Sequence, residues 1–130
     1  MGITVKGEES VKFNPTEVPV NRYTAKVKEI RELEIDDRPT LDFCFVIHDG
    51  EQAGKELSYL CSKKITEKTK LGEFVKMATG RGIEVDKDYD LDKIFSGQKF
   101  AIMTDTKERV DKDGKVTKNS FVLKVVERLF

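Results

Sequence analysis

From Leu41 to Ile47 the chain places an apolar residue at every second position. Leu41, Phe43, Phe45 and Ile47 share one parity; Asp42, Cys44 and, further on, His48 share the other, with Val46 between them. Successive side chains of a strand point to opposite sides, so this alternation demands a half-buried β-strand. The same geometry removes a tempting alternative. The stretch holds the only histidine of the chain beside a thiol, but at ~3.3 Å of rise per residue Cys44 and His48 stand roughly 13 Å apart. Neither a metal ion with bonds of ~2.0–2.3 Å nor a thiolate–imidazole hydrogen bond spans that gap. As a local catalytic cluster the stretch fails.

Other segments repeat the pattern or break it readably. Residues 1–21, with Pro15 and Pro19 and little periodicity, read as an extended N-terminal segment. In RYTAKVKEIRELEI, Tyr23, Ala25 and Val27 hold one parity, Ile30 breaks it, and Leu33 and Ile35 share another. A phase slip inside a long strand predicts a β-bulge and a strong bend. IDDRP is a charged turn, and HDGEQAGK is a glycine-bearing connection to a third strand, KELSYLCSKKI, so the second and third strands form a hairpin.

The period then changes. Leu71, Phe74, Val75 and Ala78 follow the i, i+3, i+4, i+7 rule of one helix face. Thr66 or Thr69 caps the start of that helix, and Gly80 or Gly82 its end. DYDLDKIFSG reads as a short helical turn, capped by Asp90, with Leu91, Ile94 and Phe95 inward and Gly97 as the stop. Two final strands, QKFAIMTDTKERV and NSFVLKVVERLF, flank DKDGKVTK, whose Asp113-Gly114 is a strong hairpin signal. The expected fold is all-β with one helix (β+α), in the order β-β-β-α-β-β, as a single domain over residues 1–130. Five short strands bury a core of this size by curling into a barrel, which removes most edges. That order and helix placement match the OB-fold.

Composition narrows the setting. With 130 residues, 38% hydrophobic and 37% charged, the chain suits one globular domain that buries roughly two-thirds of its unfolded surface. No apolar run approaches the ~18 residues of a membrane span, and MGITVKGEESVKF lacks the apolar core of a secretory signal. Lys6 stands where a myristoylation signal needs Ser or Thr. Cys44 and Cys61, without CxxC spacing, read as reduced structural thiols, which lie on paired strands and can be neighbours. A cytoplasmic protein is expected.

Catalytic and metal signatures do not hold up. Asp86, Asp88 and Asp90 have calcium-loop spacing, but Leu91 replaces the required glycine and Gly97 the bidentate glutamate. A lone histidine, with no glycine-rich phosphate loop and no zinc spacing, argues against an enzyme; no cofactor and no metal are expected. Net charge is zero but segregated. Residues 1–56 carry 8 basic and 12 acidic side chains, residues 57–82 hold 6 and 2, residues 83–98 return to a net −3, and residues 99–130 reach +3. Segregation of this kind can build a basic face on a neutral molecule; ordinary solvated faces are the competing explanation.

YTAKVKEI, LDFCFVIHDGEQAGKEL, KTKLGEFVKMATG and DYDLDKIFSGQKF together resemble the phage-type single-stranded DNA-binding proteins, over roughly residues 20–126. The resemblance implies an OB-fold that protects single strands in replication or recombination, without a cofactor. Many single-stranded DNA-binding proteins end in an acidic tail that closes on an aromatic residue and recruits partners. This chain ends VVERLF without an acidic run, so Phe130 reads as a packing residue.

Single-strand binding needs cations along a groove and aromatic faces for stacking. In an OB-fold the groove crosses the second and third strands, edged by the loops that join strands one to two and four to five. Lys26 and Lys28 on the first strand, Lys63 and Lys64 at the end of the third, and Lys107, Arg109, Lys112 and Lys115 in the final hairpin are the candidate contacts. Tyr59 joins them only in one register. If Leu57, Tyr59 and Cys61 face inward, as when Phe45 pairs with Tyr59, its ring is core; a slip of one residue puts it in the groove. The rival function is a protein-binding OB-fold adaptor that uses the same face or the acidic segment around Asp86–Asp92.

Overall fold

The computed structural model describes residues 16–110 and 112–129. What was read into residues 1–15, Asp111 and Phe130 lies outside them. The strands are β1 (Arg22–Ile35), β2 (Arg38–Ile47), β3 (Glu56–Ser62), β4 (Lys99–Val110) and β5 (Val116–Leu129); α1 (Lys70–Thr79) and α2 (Leu91–Phe95) lie between β3 and β4. All five strands form one antiparallel sheet in the order β3-β2-β1-β4-β5. Two helices therefore replace the single one expected. The Leu91–Phe95 turn is long enough to count because the Asp90 side chain accepts from the Lys93 N–H and closes its first turn. Among the described residues no ladder joins β3 to β5, although the two edge strands pack near one another.

The bulge falls where the alternation slips. Pairing of β1 with β2 shifts between Val27 and Glu29, leaving Lys28 as the extra residue, so that Val27 opposite Phe45 and Ile30 opposite Phe43 both face the core. The β1–β2 turn is Asp36-Asp37, with φ of 51° and 61°. Positive φ at both central residues is the hairpin turn whose twist suits a twisted sheet.

β2 departs from the half-buried strand expected. Leu41 to Phe45 are buried without interruption, Asp42 at 0% exposure. The strand lies between β1 and β3, and long side chains from both neighbours, Arg31 and Glu56, lie over its outer face.

Beneath the inner face is an aromatic core. Phe74, from α1, meets Phe43, Phe45, Tyr59, Phe95 and Phe100 at centroid distances from 4.3 to 5.9 Å, several of them edge-on. α1 is placed as its period requires, with Leu71, Phe74, Val75 and Ala78 buried. Thr69 is the N-cap, accepting from the Gly72 N–H, and Gly80 ends the helix in the left-handed region. Gly72 has no substitute. A Cβ there would stand 1.7 Å from the Thr66 carbonyl oxygen, so the strand-to-helix connection packs directly on the helix backbone.

Residues 16–21 run across the inner side of the β4–β5 pair. Ser120 N–H donates to the Thr16 carbonyl (2.8 Å), Val18 N–H to Ser120 Oγ (2.9 Å), and Thr104 N–H to the Asn21 carbonyl (3.0 Å). Val18 is buried beneath this contact. Cys44 and Cys61 are free thiols, and the idea that they are neighbours is corrected: Cys44 pairs with Ser58 and Cys61 with Leu41, on opposite faces of the sheet.

Candidate nucleic-acid interface

Register settles the position of Tyr59. Phe45 pairs with Leu57 and Phe43 with Tyr59, two residues from the pairing considered but on the same face. Leu57, Tyr59 and Cys61 all point inward, and Tyr59 is 6% exposed. Its ring packs edge-on against Phe74, and the Lys70 ammonium lies 4.1 Å from its centroid. A core tyrosine offers no face to a nucleobase, so the stacking role does not fit it.

The remaining candidates divide between two places. One is the outer face of β1, β2 and β3. There Lys28 Nζ lies 2.6 Å from Glu56 Oε1, Arg31 Nη2 3.0 Å from Asp42 Oδ2, and Lys63 Nζ 2.9 Å from Glu32 Oε1. Ser58 Oγ also donates to Asp42 Oδ2 (3.2 Å), and Cys44 Sγ to Glu56 Oε1 (3.5 Å). These contacts move the titrations accordingly. The hydrogen bond from Lys28 holds the Glu56 carboxyl low, and the same bond pushes the Lys28 ammonium up. Burial raises Asp42, against the opposing pull of Ser58 and Arg31. Burial also pushes the Cys44 thiol to about 12, which leaves it a poor nucleophile at neutral pH. Lys26, half-buried beside Lys99 and Val46, and exposed Lys64 make no ion pair among the described residues. The face is thus largely neutralised from within.

The other place is the β4–β5 hairpin. β1 pairs with β4 only from Lys26–Lys99 to Arg22–Met103, so beyond Met103 the hairpin leaves the main sheet as a two-stranded ribbon. Its ladder continues to Val110–Val116, which shortens the connection from the eight residues expected to five. The β-branched residues Val116 and Thr117 suit a strand, and their pairing with Val110 and Arg109 extends it. Lys107 and Arg109 lie on one face of the ribbon, opposite Asn119 and Thr117, and Lys112 and Lys115 flank the turn; all four are exposed. The β1–β2 turn projects from the opposite end of β1, so the two hairpin tips bracket the sheet.

One residue escaped the sequence reasoning. Phe121, half-buried, lies opposite Asp105 on the same ribbon face as Lys107, whose ammonium is 5.0 Å from the ring centroid. Counting pairs back from the Asp113-Gly114 turn would have found it. Elsewhere, a cleft of about 520 Å³ opens beside the acidic segment, floored by Leu41, Leu71 and Leu91 and rimmed by Glu84, Asp86 and Asp88. Among the described residues no group of His, Cys, Asp and Glu is arranged to hold a metal ion, and no helix is long and apolar enough to cross a membrane. Comparison with protein-family models and with curated proteins gives no match to this chain.

Proposed function

We propose that this chain is a non-catalytic protein that binds single-stranded DNA with little sequence preference. It would do so in replication or recombination in the cytoplasm, that of the host if a phage encodes it. In this reading the five strands close as an OB-fold barrel, an arrangement favoured by the approach of β3 to β5 and by a helix between the third and fourth strands whose apolar row is buried.

The observation that carries the reading is the row of exposed cations along the ribbon. Lys107, Arg109, Lys112 and Lys115 project beyond the sheet on a hairpin, where cations can follow a phosphate backbone without burying it. Such contacts are sequence-blind because phosphate is common to every nucleotide. Neutralising phosphates releases counterions, so log K should fall with log salt by roughly 0.7 per phosphate. Fluorescence anisotropy with labelled single- and double-stranded oligonucleotides tests this. Wild type should prefer the single strand, with a steep salt slope. Replacing Lys112 and Lys115 by alanine should flatten that slope by about 1.4 and weaken all sequences alike. Binding that is weak and insensitive to salt defeats the reading.

A protein-binding adaptor is the second reading. It is favoured by the acid-rimmed apolar cleft and by the internal neutralisation of the outer β1–β2–β3 face. It requires that the same oligonucleotide titrations fail.

A further inference from the structure

The β4–β5 ribbon has two unlike faces. Register puts Thr106, Glu108 and Val110 with Ser120, Lys118 and Val116 on one, and Asp105, Lys107 and Arg109 with Phe121, Asn119 and Thr117 on the other. The N-terminal segment grips the first face at Ser120. The second carries Phe121 with the Lys107 ammonium over its ring. An ammonium is strongly hydrated and keeps to the water side of whatever it covers, so its position marks the ring face that looks outward. The side chain over that face, Lys107, is long and exposed.

We propose that Phe121 is a base-stacking platform, with Lys107 as its displaceable cover and Arg109 as the next phosphate contact along the strand. The proposal rests on the single-strand reading and gives it an aromatic surface, which Tyr59 does not supply. When a base slides onto the ring, a π-stack replaces the cation–π contact and the Lys107 charge is released to a phosphate. Lys107 and Arg109 lie two residues apart on one face, about 6.6 Å along the strand, a step suited to successive phosphates of an unstacked strand. Asp105, across from the ring, accepts from the Thr106 N–H at 2.8 Å. Its charge steers phosphates away from the ring and leaves the ring to the uncharged base. Every base has a π face, so the platform adds affinity without sequence preference.

The chain contains no tryptophan, so Phe121→Trp in the full chain creates a single-tryptophan reporter that can be excited to the red of the tyrosines. Oligodeoxythymidylate should quench it saturably, with a midpoint that moves with salt as the anisotropy midpoint does. Phe121→Leu, which keeps apolar bulk but loses the ring, should weaken oligodeoxythymidylate binding about 5- to 150-fold. It should leave binding of an abasic deoxyribose-phosphate oligomer of equal length unchanged. If wild type binds with a steep salt slope and Phe121→Leu binds as tightly, or loses both oligomers alike, the platform is overturned and the single-strand reading stands. If wild type binds no oligonucleotide, both fall. Should Phe121→Leu melt early, the tryptophan variant decides: a reporter unquenched at saturation overturns the platform.

Discussion

The outer face of β1–β2–β3 and the outer face of the β4–β5 ribbon are both rich in basic side chains, yet they end in different states. On the first, Lys28, Arg31 and Lys63 each meet a carboxylate from another strand. On the second, Lys107 and Arg109 stand opposite neutral Asn119 and Thr117. Cross-strand partners, not charge content, decide whether a cation is engaged within the fold or open to a ligand. Exposed pairs, unlike the one made by buried Asp42, add only ~0–1 kcal/mol to stability. Their larger effect is on availability, because a paired lysine must leave its carboxylate before it reaches a phosphate.

The sharpest way to break this contrast is at its buried member. Arg31→Ala leaves the fully buried Asp42 carboxylate with Ser58 alone. Loss of one partner of a buried pair costs ~3–5 kcal/mol; Arg31 is itself 38% exposed, so about 2–3 kcal/mol is expected at pH 7 by urea unfolding. The sign with pH follows from linkage. Burial holds the folded Asp42 pKa above its ordinary 3.8, so the native state takes up the proton more readily than the unfolded chain. The destabilising contribution of Asp42 is therefore present above the folded pKa and fades as pH falls towards 3.8. Without Arg31 the folded pKa rises further, and the cost of the substitution should shrink at pH 4. An equal cost at both pH values would mean that Arg31 acts through packing alone.

A smaller effect sharpens the comparison from the other side. Glu56→Gln removes the charge that engages Lys28 and should raise single-strand affinity two- to threefold, steepening the salt slope by at most ~0.7. An unchanged slope would place the outer β1–β2–β3 face outside the interface. The smallest effect belongs to the ribbon tip, where Val110 and Val116 pair while 64% and 54% exposed. Replacing both by threonine should change the unfolding free energy, read by urea titration, by no more than ~0.5 kcal/mol. A larger loss would mean that the tip is packed rather than open.

Most of the fold was legible because the changes of period are local. The β1 bulge, the Thr69 cap, the Gly80 stop and the inward row of α1 each follow from a few neighbouring residues. The burial of Asp42 and Cys44 was not, because it depends on which strands flank β2 and on the reach of Arg31 and Glu56. The ion pairs were closer to legible than they looked. Once Asp36-Asp37 is taken as a two-residue turn, Ile35 pairs with Arg38, and counting back sets Arg31 opposite Asp42. Treating the turn as merely charged hid that register. The same counting from the other hairpin finds Phe121, whereas the inward parity of Tyr59 could be fixed only by packing against α1.

The grip of residues 16–21 on Thr104 and Ser120 makes the ribbon a beam clamped at one end. Beyond Ser120 about 13 Å of ladder and the turn are unsupported by a third strand among the described residues. For a cantilever, a small twist at the root becomes a wide sweep at the tip. Lys112 and Lys115 stand at the far end of that lever, and Phe121 next to the clamp. In the single-strand reading proposed above, capture at the tip and registration at the root would be separated along one hairpin by its mechanics.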